Sequence, residues 1–185
     1  MSSVEWIAAL LGVVNVALVV RRSMWNYPFG LAMVTLYFFV FADSKLYSDA
    51  LLQIFFFAIN LYGWWNWTQS DKVDDRIAVV MMGPRSRIAW IGGTIVGILA
   101  WGTLMARFTD AAAPYADATV AGMSVAAQIL QSRRRVESWG LWIAVDCLAI
   151  GLFLSRGLYV TAGLYVIFLV LAVVGLVEWK KKVTQ

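Results

Sequence analysis

Apolar residues run through this chain in long blocks, and the polar residues gather between them. Seven such blocks separate at clusters of charge and turn-forming residues, near 4–20, 27–41, 47–67, 88–105, 115–130, 139–154 and 158–177. A helix rises about 1.5 Å per residue, so roughly 20 mostly apolar residues cross a hydrocarbon core of about 30 Å. The pattern therefore predicts seven transmembrane helices with short connections. Helix 5 is the most diluted block, by Ser, Thr, Gly and Ala. Glu5 precedes the first apolar run and no basic segment comes before it, so an uncleaved span is expected there rather than a signal peptide.

Composition agrees. Of 185 residues, 62% are hydrophobic and 14% charged, and the mean hydropathy is +0.75. A soluble domain is about half apolar and a quarter charged, so the sequence lacks the residues for a charged outer surface. It reads as an all-α integral membrane protein. The absence of His removes the usual general base and the commonest metal ligand, and the single Cys147 excludes an internal disulfide. No phosphate-binding GxxxxGK[ST] loop is present. Neither a metal, a cofactor nor a catalytic residue is expected. An intramembrane enzyme would need a base and a nucleophile in reach, and no second deep carboxylate stands beside the one in helix 6. A binding subunit or structural membrane partner is the other alternative to a permease.

The basic residues test the span count. The loops after helices 1, 3 and 5 and the C-terminal tail hold twelve Lys and Arg, among them Arg21, Arg22, Arg133, Arg134 and Arg135, whereas the opposite side holds only Lys45, Arg107 and Arg156. Cytoplasmic loops carry the excess of positive charge. This predicts a cytoplasmic C-terminus and an outside N-terminus.

An internal offset of 112 residues brings landmarks into register: Arg21-Arg22 on Arg133-Arg134, Leu46-Tyr47 on Leu158-Tyr159, Ala50 on Ala162, Gly63 on Gly175 and Trp67 on Trp179. Shared topology alone can repeat basic loops and aromatic belts, but the combination points to duplication. The expected organisation is two parallel three-helix repeats plus a linking helix (3+1+3). Residues 1–67 form the first repeat, 68–108 a cytoplasmic loop and linking helix 4, and 109–185 the second repeat with a basic tail. Gly93 and Gly97, at GxxxG spacing, suit a helix 4 packed between the two units.

Polar groups inside spans are costly unless they pair or face a wet cavity, so they point to a site. Helix 3 carries Gln53, Asn60, Trp64 and Trp67 on one face, at spacings of seven, four and three, and helix 6 carries Trp139, Trp142 and Asp146. Helix 1 adds Asn15 and helix 5 adds Gln128, one position apart under the repeat offset. The plainer reading of the amides is interhelical hydrogen bonding. Trp residues near span ends, including Trp139, commonly anchor at the headgroup level, and Trp65 and Trp179 are assigned that role. Asp146 defaults to function. Substrate-binding residues are therefore expected to be Asn15, Gln53, Asn60, Trp64, Trp67, Gln128, Trp142 and Asp146. Aromatic faces, amides and one acid suit a flat, cationic, hydroxylated ring; no mid-membrane Lys or Arg awaits a phosphate.

The run Leu46-Tyr47-Ser48-Asp49-Ala50-Leu51-Leu52-Gln53, then Tyr62-Gly63-Trp64-Trp65-Asn66-Trp67, resembles the Pnu vitamin-transporter family. The second half agrees in Ala127-Gln128, Arg134-Arg135-Val136-Glu137-Ser138-Trp139, Leu141-Trp142-Ile143-Ala144-Val145-Asp146 and Gly157-Leu158-Tyr159. The resemblance implies a fold similar to sugar-transporting SWEET proteins, a homotrimer in the bacterial inner membrane, and facilitated diffusion of an unphosphorylated vitamin that a cytoplasmic kinase then traps. Trp64 and Trp67 match a Trp-x-x-Trp motif associated with nicotinamide riboside; thiamine, riboflavin or a nucleoside is the alternative solute.

Overall fold

A computed structural model describes residues 3–43, 47–73, 76–109, 113–155, 157 and 159–183. Lys45, Leu46, Arg156 and Leu158, used above for the charge count and the repeat, lie outside the described residues. The apolar blocks are helices: α1 (Ser3–Val20), α2 (Asn26–Asp43), α3 (Tyr47–Thr68), α4 (Pro84–Phe108), α5 (Pro114–Ser132), α6 (Glu137–Ser155) and α7 (Tyr159–Lys181). Pro84 and Pro114 open α4 and α5 at positions where no helical N–H partner is needed. Between α3 and α4, β1 (Lys72–Val73) pairs antiparallel with β2 (Arg76–Ile77).

Four helices, α1, α4, α6 and α7, are long and apolar enough to cross a membrane by length and composition alone. The other three are diluted by polar residues, and several of these (Asn26, Gln53, Asn60) are buried inside the bundle. A helix that lines a polar interior loses hydropathy for that reason. On the outside, Ile88, Ile95, Val96, Leu99 and Phe108 of α4 are exposed, as lipid-facing side chains would be.

Neighbour relations define the architecture. α2 packs between α1 and α3, and α6 between α5 and α7; contacts of α1 with α7 and of α3 with α5 close these six helices into a ring. Helix α4 packs on α5. The expectation that Gly93 and Gly97 seat helix 4 between two units is corrected: nothing lies within 4 Å of a Cβ built on either, or on Gly92. The short connection from Phe108 to Pro114 lays α4 beside α5 instead. The close approach uses Gly102, where a Cβ would stand 2.5 Å from the Tyr115 ring, and Gly122, 2.6 Å from Ile98.

Two turns share one geometry. Arg22 (φ 54) and Arg134 (φ 61) follow the last turns of α1 and α5 in the left-handed region. Each turn closes on its helix in the double hydrogen-bond pattern of a Schellman motif. Arg22 N donates to Val19 O (2.8 Å) and Ser23 N to Leu18 O (3.0 Å); Arg134 N donates to Gln131 O and Arg135 N to Leu130 O (both 2.9 Å). Burial, and then the neighbouring Arg135 charge, lower the Arg134 pKa from the ordinary arginine value.

The apolar core sits at the end of the bundle that holds these turns. Tyr27 of α2 meets Trp67 of α3 edge-on (5.3 Å, 90°), and Trp139 of α6 meets Trp179 of α7 likewise (5.4 Å, 89°). Each first ring lies on a glycine. A Cβ on Gly63 would stand 2.8 Å from the Tyr27 hydroxyl, and one on Gly175 2.6 Å from the Trp139 ring. The two aromatic pairs touch through Trp67 and Trp179, and Ile77 and Val79 complete the cluster. Trp179 and Trp139 are thus not headgroup anchors. Trp179 is fully buried, and its indole N–H donates to the carbonyls of Val19 (3.2 Å) and Val20 (3.3 Å). The end of α1 leaves the Val20 carbonyl without a helical partner, and the indole reaches it while sharing the Val19 carbonyl with Arg22 N. Trp65, by contrast, is 61% exposed, as an anchor should be.

Candidate solute-binding site

Above this aromatic floor comes a layer of amides. Asn15 of α1 donates from Nδ2 to the Asn26 carbonyl (2.6 Å), and Asn26 donates from Nδ2 to the Ser23 carbonyl (2.6 Å). Asn60 of α3 donates to the carbonyl of Phe56 (2.9 Å), one turn back on its own helix, and accepts at Oδ1 from Gln128 Nε2 of α5 (3.3 Å). Gly30 of α2 makes room for both groups: a Cβ there would stand 2.8 Å from Asn15 Nδ2 and 3.3 Å from Asn60 Oδ1. Asn15 and Gln128, one position apart under the repeat offset, come near each other with Asn60 and Gly30 between them.

Asn60 lies eight residues from the end of α3, about 12 Å along its axis at 1.5 Å per residue. Asp146 lies nine residues from the start of α6, at a similar depth. The residue is 4% exposed, and among the described residues its carboxylate has no hydrogen bond or ion pair. Gln53, two turns farther along α3 than Asn60, is also buried without a hydrogen bond among the described residues. A buried polar group left without a partner costs about 1–3 kcal/mol. These two groups, with Asn60 and Gln128, are part of the interior's hydrogen-bonding capacity.

The aromatic residues divide. Trp64 is 37% exposed and stacks on Tyr27 (6.1 Å, 6° between planes). Trp67, on the same helix face, is wholly in the core. Its indole N–H and that of Trp139 are buried with no partner among the described residues, so both are donors awaiting an acceptor. Trp142 is half-buried and spends its N–H on Gln131 Oε1 (2.7 Å), which fixes the ring against α5. The sequence reading missed Tyr27 and Gly30. The 112-residue offset places Tyr27 on Trp139 and held the signal for the first. For Gly30 no local pattern speaks, because its role is to leave space.

Comparison with known proteins now adds to the geometry. The family model described as "Nicotinamide mononucleotide transporter" matches residues 2–181. The nicotinamide riboside transporter PnuC of Escherichia coli (strain K12) is 26% identical, over 97% of this chain and 85% of that protein. The riboflavin/roseoflavin transporter RibM of Streptomyces davaonensis is 29% identical, over 95% of this chain and 83% of that protein. A crystal structure of the vitamin B3 transporter PnuC superposes with a TM-score of 0.83 at 25% identity, covering 97% of this chain and 81% of that one. The chain belongs to the nicotinamide mononucleotide transporter family, and it is a membrane transporter rather than an enzyme.

Proposed function

We propose that this chain carries an unphosphorylated vitamin precursor, nicotinamide riboside first, across a bacterial inner membrane by facilitated diffusion. The observation that carries this reading is the interior itself. Amides of α1, α3 and α5 meet around Gly30, with the buried Asp146 at a similar depth and two indole N–H groups below that have no partner among the described residues. Hydroxyls of a ribose and a carboxamide match amides and indoles. A cationic ring is attracted to aromatic faces by about 0.5–2 kcal/mol per contact, and Asp146 offsets its charge. The site is assigned to Asn15, Gln53, Asn60, Trp64, Trp67, Gln128, Trp142 and Asp146, with Tyr27 added as the ring on which Trp64 stacks.

The family description names a mononucleotide, but the chemistry favours the nucleoside. Among the described residues the arginines stand at helix ends and in connections, with Arg22 and Arg134 donating to backbone carbonyls and Arg107 in the last turn of α4, and none stands in the amide layer. A phosphate there would lose its hydration without a cationic partner. Trapping by a cytoplasmic kinase follows as the step that keeps a freely diffusing solute inside.

The supporting architecture is two parallel triplets, α1–α3 and α5–α7, joined by α4. The matched Arg22 and Arg134 turns and the matched aromatic–glycine packing support it. All seven helices span the bilayer in this reading, with the C-terminus inside and a homotrimer as the assembly. Riboflavin is the second reading, on the strength of the RibM relative.

A binding titration of purified protein against nicotinamide riboside, riboflavin and thiamine ranks the solutes. Proteoliposomes should then take up the tightest binder down its gradient, with no response to proton or sodium gradients. Absence of saturable uptake of all three would remove the permease reading. Gradient-driven accumulation would replace diffusion by coupled transport.

A further inference from the structure

The segment between the β1–β2 pair and α4 runs across the end of the bundle that carries the two Arg turns. Residues 77–79 are buried, and Ile77 and Val79 belong to the aromatic core. Both turns reach the segment with equivalent side chains: Arg22 Nη1 donates to Ile77 O (3.1 Å) and Arg134 Nη1 to Ala78 O (3.4 Å). It is therefore a strap laid over the aromatic floor.

Its attachments are unequal. On the α5–α6 side it joins a backbone ladder, Val80 N donating to Arg134 O (3.0 Å) and Val136 N to Val80 O (3.1 Å). Glu137 then accepts from Met82 N (2.9 Å) and pairs with Arg87 (2.8 Å), and Val79 bridges Val183 beyond α7. On the α1 side, among the described residues, no backbone hydrogen bond joins the strap to the α1–α2 turn; the Arg22 side chain does. The nearby closure of α1 on α7 is also made by a side chain, the Trp179 indole on Val19 and Val20. A cavity of about 230 Å³ lies along this same seam, lined by Val20, Arg21, Arg22, Arg76, Glu178 and Lys182. Arg22 is held in a left-handed conformation, which costs a non-glycine residue about 1–2 kcal/mol.

We propose that the strap is the gate at this end of the ring, that it stays with α5–α7, and that the mouth opens along the α1–α7 seam by release of Arg22 and Trp179. A gate parts where side-chain bonds hold it beside existing space, not where a backbone ladder must be broken. This inference rests on the transport reading above, so its test includes a readout that needs no solute.

In a Cys147→Ser background, Ser132→Cys places a reporter in a buried position 3.0 Å from the Cβ site of Gly63, behind the floor. Labelling it with a membrane-impermeant maleimide measures opening. Arg22→Ala should raise the labelling rate at least about fivefold by shifting the closed population. Arg22→Lys, which keeps the charge and loses the fork, should raise it about twofold if the alanine variant fails to fold. Glu137→Ala, on the ladder side, should change it by less than about twofold.

Uptake is measured on two cross-linked pairs. Linking Val20→Cys to Lys182→Cys across the seam should cut uptake about tenfold or more, reversibly with reductant. Linking Met81→Cys to Arg135→Cys, which ties strap to turn, should leave it within about twofold. Unchanged labelling in both Arg22 variants, or normal uptake through a fully linked seam, overturns the gate. The labelling pattern without uptake of any vitamin supports the gate and counts against the solute assignment instead.

Discussion

Helices α1–α3 and α5–α7 share their packing parts and differ in their polar ones. Tyr27, Gly63 and Trp67 have counterparts in Trp139, Gly175 and Trp179, with nearly the same ring separations and angles. The Arg22 turn has its counterpart in the Arg134 turn. At the same offset, Asn15 faces Ala127, Gln53 faces Tyr165, Asn60 faces Ala172, and Asp146 faces Val34. Position Gly30, which leaves room for the amides, is Trp142 in the other triplet. The same aromatic–glycine packing recurs because α2–α3 and α6–α7 solve one problem, closing a helix hairpin at the same end of the ring. The polar residues do not repeat at this offset, which fits the proposed role, since a single small solute of low symmetry offers different groups to each side.

That contrast is open to test, starting where the effect is largest. If the packing parts are equivalent, Gly63→Ala and Gly175→Ala should each overpack a buried ring and destabilise the protein by about 1–3 kcal/mol. Thermal unfolding in detergent should show two similar drops in Tm; a harmless Gly63→Ala beside a damaging Gly175→Ala would break the equivalence. If the polar parts are not equivalent, Asp146→Asn should weaken binding of a cationic vitamin about tenfold, or 1.4 kcal/mol, with little change in unfolding. Calorimetric titration reads this directly, and equal affinity would take Asp146 out of the site.

Asn60→Leu removes the acceptor of Gln128 and a ligand partner together, and interhelical hydrogen bonds of this kind are worth about 0.6–1.7 kcal/mol. A loss of about sevenfold in affinity is expected by the same titration, at the middle of that range. Smallest is Trp64→Ala. Because Trp64 is partly exposed, its cation–π share is about 0.5–1 kcal/mol, a two- to fivefold loss in affinity. A loss for nicotinamide riboside but not for riboflavin, a neutral ring, would show that charge rather than stacking area is being read.

Much of this was legible beforehand. The seven blocks became α1 to α7, since apolar runs of this length have no other stable state when each backbone group must be paired internally. The meeting of Asn15 and Gln128 was half legible: the repeat offset set them in corresponding positions, and only the structure put Asn60 and Gly30 between them. Trp179 and Trp139 were not. A Trp near a span end reads as an anchor, and only the arrival of the α1 carbonyls beside α7 makes Trp179 a core donor. Helix α4 was misjudged for a related reason. Glycine spacing permits close approach on a face, but which face is used depends on a neighbour that the spacing does not name.

The sequence by itself therefore determined the helices, their number, the charge asymmetry of their ends and the chemical kind of the interior. Those properties are set by residues acting locally against one solvent, the bilayer. Tertiary structure alone decided the ring closure through α1–α7 and α3–α5, the four-ring aromatic floor and the course of the strap. These depend on contacts between residues as much as 160 positions apart, such as Trp179 and Val19. No local pattern encodes such pairs, because side chains meet there only after every helix has found its place.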